Sequence, residues 1–225
     1  MTVVSIHQPN YIPYLGFFEK MKRSDIFVLL DNVQFVRTGE FAWQHRQKIR
    51  TKIGEMWLTI PVKREFKIAI NKVQVANQTW QKKHWRSIET NYSRSFFWDK
   101  YAMSLRKFYE KTYEKLVDVT VPMIKWLAEQ LGIYSEIIIA SELNLNEYLF
   151  STDLLVEIIR KVDGDVYLSG PMGKNYLEET KFSGNGIGLT YLEFKHPIYK
   201  QVYPSFIKNM SVIDFMFNNN NKLYI

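Results

Sequence analysis

Apolar and polar positions along the chain switch between two periods, and each switch marks an element. Val3 to Ile6 is a short apolar run that ends in His7-Gln8-Pro9-Asn10-Tyr11. Pro9 and Pro13 forbid both a continuing strand and an immediate helix there, so the chain turns. Leu15, Phe17, Phe18 and Met21 then recur at near-helical spacing, and Ile26 to Leu30 forms a second β-rich run that stops at Asp31. In an open α/β sheet, the turn leaving the first strand and the end of its parallel neighbour lie beside one crevice, where ligands usually bind. His7, Gln8, Asn10, Tyr11 and Asp31 are expected to face one another in it.

Further along, Gly54 precedes a strand expected over Trp57 to Val62, which Pro61 ends or places at an edge and which delivers Lys63 and Arg64 to its own end. Ile68 to Val75 alternates apolar and polar residues and predicts a half-exposed strand. Thr79 is the expected N-cap of a basic helix through Asn91, and residues 95 to 131 read as helical, with Pro122 opening a second helix. The aromatics Phe97, Tyr101, Phe108 and Tyr113 are expected in the core. After Gly132 come a strand over Glu136 to Ala140, a helix over Leu154 to Val162 capped by Ser151, and a strand over Asp165 to Leu168. Gly184, Gly186 and Gly188 predict a tight turn before a strand over Thr190 to Phe194. Ser211 caps a last short helix, Val212 to Phe217, and Asn218 to Asn221 reads as a frayed end.

Two strand–helix–strand units, one at each end, predict a parallel, Rossmann-like α/β sheet flanked by helices. The expected organisation is one domain over residues 1–217, with a basic, largely helical insertion at about 36–131, and a tail over 218–225.

Charge sharpens this picture. The net charge is +7, but residues 1–110 carry +10 and residues 111–225 carry −3. An anionic partner therefore belongs to the first half, where Trp43 to Lys52 and Gln81 to Arg86 mix cations with aromatics, as nucleotide and nucleic-acid sites do. A solvated basic face is the plainer reading of the same residues. The absence of cysteine removes disulfides, thiolate nucleophiles and cysteine-ligated metals. No apolar run approaches the ~18–20 residues of a membrane span, and no basic-then-apolar leader opens the chain, so the expectation is a cytoplasmic protein with no membrane insertion.

The four histidines are too scattered for a metal site, and neither a Gly-x-Ser-x-Gly elbow nor a Walker loop occurs. His7 sits on a rigid mount and can act as general base or acid, with Asp31 or Gln34 to orient it. A histidine merely bonded to backbone is the structural alternative for His7, and Asp31 is either its catalytic partner or a helix or turn cap. Arg46 and Lys48 are candidates for phosphate contact, with Lys63 beside them in the basic half. The turn Ser169-Gly170-Pro171-Met172-Gly173-Lys174, running on to Tyr176, could hold a phosphate on its backbone amides, although it is also an ordinary turn.

The order of these motifs resembles the WbqC-like family. The residues that carry the likeness are His7-Gln8-Pro9-Asn10-Tyr11-Ile12-Pro13-Tyr14-Leu15-Gly16, Ser24-Asp25, Asp31-Asn32-Val33-Gln34-Phe35, Trp43-Gln44-His45-Arg46 with Lys48-Ile49, and Trp57 to Val62. Later ones are Tyr167-Leu168-Ser169-Gly170 with Tyr176-Leu177, the pair Tyr199 and Gln201, and Ser211-Val212-Ile213-Asp214. Tyr14 and His45 depart from the tryptophan and asparagine expected at those places. The resemblance implies a role in O-antigen or other surface-polysaccharide synthesis. It implies a transferase modifying a nucleotide-linked amino sugar, with acyl or aminoacyl transfer to the sugar amine. His7 would then be the base, and Gln8, Asn10, Tyr11, Gln34, Arg46, Lys48, Lys63, Ser169, Gly170, Lys174 and Tyr176 would bind the substrate. No cofactor is expected beyond an activated acyl or aminoacyl donor, for which aminoacyl-tRNA is one candidate. The first strand–turn–helix also resembles nucleotidylyltransferases, whose turn carries a second histidine absent here. A non-catalytic tRNA-binding module is the alternative from another class.

Overall fold

In a computed structural model that describes residues 1–219, the chain runs through seven strands and seven α-helices among the described residues. In order they are β1 (Val3–His7), α1 (Leu15–Lys22), β2 (Ile26–Leu29), β3 (Arg46–Thr51), β4 (Gly54–Thr59), α2 (Trp80–Tyr92), α3 (Trp98–Tyr109) and α4 (Val117–Gln130). Then follow β5 (Glu136–Ile139), α5 (Ser151–Lys161), β6 (Val166–Ser169), α6 (Glu179–Gly184), β7 (Gly188–Tyr191) and α7 (Val212–Asn218).

The backbone separates into two compact units. The first takes Met1–Gln8, Gly16–Asn32 and Ile133–Lys195; the second takes Pro9–Leu15, Val33–Gly132 and His196–Ile225. The second unit thus draws in more of the chain than the basic stretch 36–131. The split also divides the charge: the first unit has 8 basic and 13 acidic residues, a net −5, and the second has 22 basic and 10 acidic, a net +12.

The first unit is a five-stranded parallel sheet in the order β5-β2-β1-β6-β7, flanked by helices, a Rossmann-like arrangement. Val4, Ile6, Phe27, Val28 and Leu29 are buried, which is why these strands read as continuous apolar runs rather than alternating ones. β1-α1-β2 joins neighbours, as expected. The second predicted unit, β5-α5-β6, does not, because β5 and β6 lie on opposite sides of β1; the neighbouring pair is β6-α6-β7. The run with three glycines begins as helix α6, so β7 starts at Gly188 rather than Thr190. α5 begins at Ser151 itself, whose side chain makes no cap.

In the second unit, β3 and β4 form an antiparallel hairpin, from Arg46 opposite Thr59 to Thr51 opposite Gly54. The basic stretch is therefore partly strand, and the expected strand at Trp57 begins three residues earlier, where Gly54 at φ +138° opens it. Ile68 to Val75 is not a strand; it makes isolated bridges at Ala69, Gln74 and Val75 around a 3-10 turn at Ile70–Lys72. α2 starts after Thr79, but Asn77 supplies the acceptor there, taking bonds from the Thr79 amide (3.1 Å) and hydroxyl (2.8 Å). Pro122 lies inside α4, not at its start. It is exposed, so water can satisfy the carbonyl four residues back that loses its donor. Tyr101 and Tyr113 are buried, whereas Phe97 and Phe108 are half-buried. Ser211 caps α7 through its hydroxyl, which accepts from the Ile213 amide at 3.4 Å. The expected tail falls outside the described residues beyond Asn219.

Candidate functional site

The first strand ends where its apolar run ends, at His7, and the half-buried imidazole stands at the carboxyl edge of the sheet. Its Nδ1 is 3.0 Å from the Gln8 carbonyl, which can only accept, so Nδ1 carries the proton and Nε2 the lone pair. The ring meets Phe17 of α1 edge-on at 4.8 Å between centroids. Burial, and then the Lys20 charge, bring the His7 pKa down to about 4, so the ring is neutral at pH 7.

Lys20 was not among the sequence candidates. It follows Phe17 by three residues and so shares the inward arc of α1, a placement that the apolar spacing already implied. It is 4% exposed, and its ammonium donates to the Ile6 carbonyl at 2.8 Å. Burial lowers its pKa to about 7.

Asp31, at 3% exposure, accepts from the Ser141 amide (2.8 Å) and hydroxyl (2.6 Å). Its bonds go to the 3-10 turn after β5, and the imidazole takes its orientation from Gln8. Pairing between β1 and β2 continues through His7 opposite Leu29, with the Leu30 amide donating to the His7 carbonyl. The expected parting of strand ends between β1 and β2 is therefore not found; between β1 and β6, by contrast, backbone pairing stops at Val4 opposite Tyr167. Ser169, the last residue of β6, is buried; beyond it Gly170 is half-buried, and Lys174 and Tyr176 are exposed on the 3-10 turn at Pro171–Asn175 and just past it. The Lys174 ammonium lies 5.2 Å from the Tyr191 ring centroid.

The remaining sequence candidates belong to the second unit. Asn10 is buried there. Tyr11 is fully buried, its hydroxyl 2.9 Å from His84 Nδ1 and 2.9 Å from the Tyr109 hydroxyl, so that group is spent on the core. Gln34 is exposed and bridges to Ala69. Lys63 donates to Gln74 Oε1 at 2.6 Å. Arg46 and Lys48 are brought together on one face of the hairpin, over the Trp57 ring at 4.5 and 5.0 Å, with Trp43 at 5.4 Å on the same ring. Carbonyls of Gly39 and Ala42 fix the Arg46 guanidinium, and Lys48 pairs with Glu55. Tyr199 and Gln201 converge on buried Asp214, each donating at 2.7 Å; these resemblance-bearing residues build a core network.

Among the described residues, no three histidine, cysteine or acidic side chains gather as a metal site would require, and no helix is long and apolar enough to cross a membrane.

Over 222 residues the chain is 28% identical to the uncharacterized protein Rv1507c of Mycobacterium tuberculosis (strain ATCC 25618 / H37Rv), covering 97% of this chain and 94% of that protein. No solved structure matches it. The WbqC-like protein family model matches residues 8–224, and the chain belongs to that family.

Proposed function

We propose that this protein is a transferase that passes an acyl or aminoacyl group to the amine of a nucleotide-linked sugar in surface-polysaccharide synthesis, with His7 as the base. The observation that carries the reading is the state of the His7 ring. Its tautomer is set by the Gln8 carbonyl, it is neutral at physiological pH, and no described residue bonds to Nε2. When the sugar amine attacks the donor carbonyl, the nitrogen becomes an ammonium more acidic than the protonated free amine. A base as weak as this imidazole then suffices: the proton goes to Nε2, the carbonyl re-forms, and the donor's leaving group departs with the electron pair.

The test pairs nucleotide-linked amino sugars with acyl and aminoacyl-tRNA donors and follows product by mass spectrometry. His7→Gln should lower turnover by at least about a hundredfold and leave the thermal shift with the nucleotide-sugar unchanged. Full activity in that variant would remove the base from the proposal. A second reading, a tRNA-binding module without catalysis, is favoured by the Trp57 cluster and predicts binding with no product in any arm.

A further inference from the structure

The order of the sheet reverses between β1 and β6: β1 leads on to β2 on one side, and β6 to β7 on the other. Open α/β sheets hold ligands at such a reversal, outside the carboxyl ends of the strands. Here the two strands pair only at Val3 and Val4, and the next link is the Ser5 hydroxyl donating to the Leu168 carbonyl at 3.0 Å. The Thr2 carbonyl accepts from the Val166 amide, so by strand alternation the Ile6 carbonyl also faces β6. No amide of β6 reaches it; the Lys20 ammonium does.

Lys20 is an unusual group to leave there. An ammonium has three donors, and this one has a single hydrogen-bond acceptor, with the Tyr167 ring centroid 5.7 Å away. No carboxylate among the described residues forms an ion pair with it. Burying a charge without a counterion is costly, and an incoming anion relieves that cost. On the β6 side, Gly170 follows Leu168 by two residues on the same edge, and its amide donates to no described residue.

We propose that Lys20 and the Gly170 amide form a phosphoryl-binding subsite at the carboxyl ends of β1 and β6. Two free N–H groups of the ammonium and one amide make three donors, which match the three oxygens of a phosphoryl group better than the two of a carboxylate. The anion would stand beside His7, whose ring already feels the Lys20 charge through space. This deepens the reading above by giving the phosphorylated substrate a place in the first unit. It rests on that reading only for the substrate's identity.

The test needs no turnover, so its failure and the failure of the transfer reaction are told apart. Inorganic phosphate is titrated into the full chain at pH 5 while the His7 ring is followed by NMR. Phosphate should shift those resonances toward the protonated ring, because a nearby anion stabilises imidazolium, whereas acetate should not. Lys20→Met should weaken the phosphate effect on His7 about tenfold or more. Lys20→Gln, which keeps a donor for Ile6, should do the same and covers the case in which the methionine variant fails to fold. Competition at the His7 signal by uridine diphosphate assigns the phosphoryl group to a nucleotide, and weaker binding of the nucleotide than of phosphate assigns it to the free anion; either supports the subsite. Phosphate binding that leaves His7 unmoved, or a folded Lys20 variant with unchanged affinity, would overturn it.

Discussion

A β-carbon on Gly173 would stand 2.2 Å from the Ser169 hydroxyl oxygen, closer than any packing tolerates. Gly173 is buried in the 3-10 turn that follows β6, and its amide and carbonyl tie the turn to Gly170, Tyr176 and Leu177. Gly173→Ala should therefore destabilise the first unit by about 1–3 kcal/mol through overpacking. Ser169→Ala in the same chain should restore part of that loss, because it removes the nearest atom. Urea unfolding of the two single variants and the double one measures the coupling; simple additivity would show that the clash is relieved elsewhere.

The buried hydroxyl of Tyr11 links His84 and Tyr109. Tyr11→Phe leaves both partners short of a hydrogen bond in the core, and the expected cost is about 1–3 kcal/mol. Because the ring itself stays, phosphate binding at His7 should be unaffected. Unfolding midpoints, read with the phosphate titration, separate the two effects.

Acid should weaken the fold well above the carboxylate range. Burial, aided by nearby cations at His7 and His45, lowers the pKa of His7, His45 and His84 to about 4. Between about pH 4 and 6.5 the unfolded chain binds protons at these rings and the folded one does not. Stability therefore rises with pH through that window and is lost as pH falls, by up to about 3 kcal/mol per ring at its lower end. Lys20, lowered to about 7, acts in the same direction between about pH 7 and 10.5. Urea midpoints across pH 4 to 7 report the slope, which His84→Gln should reduce by about one proton; a flat profile contradicts the burial of these rings.

Trp57 is 40% exposed and is held by Arg46, Lys48 and Trp43. If this face carries tRNA, Trp57→Ala should cost about 1–3 kcal/mol of binding through lost stacking, and Arg46→Ala should lower the salt dependence by about one phosphate contact. Neither change should move the His7 resonances. Filter binding at several salt concentrations decides the matter, and unchanged affinity in both variants would clear this surface of the role.

Local pattern determined much of this protein. The apolar runs at Val3 and Ile26, with two prolines after the first and a helical stripe from Leu15, are sufficient for a parallel β1-α1-β2 and for an imidazole at the end of β1, since these depend on neighbours in the chain. The family was legible for the same reason. The order of the strands was not, because which edge β6 joins depends on how distant segments pack, and that placed β6 beside β1 on the side away from β2. Tertiary structure alone decided that Tyr11 is a core residue, that Asp31 answers to Ser141, and that the inward-facing Lys20 finds its acceptor in the Ile6 carbonyl. A polar side chain's partners are set by burial and by segments far away in sequence, and spacing along the chain carries no record of them.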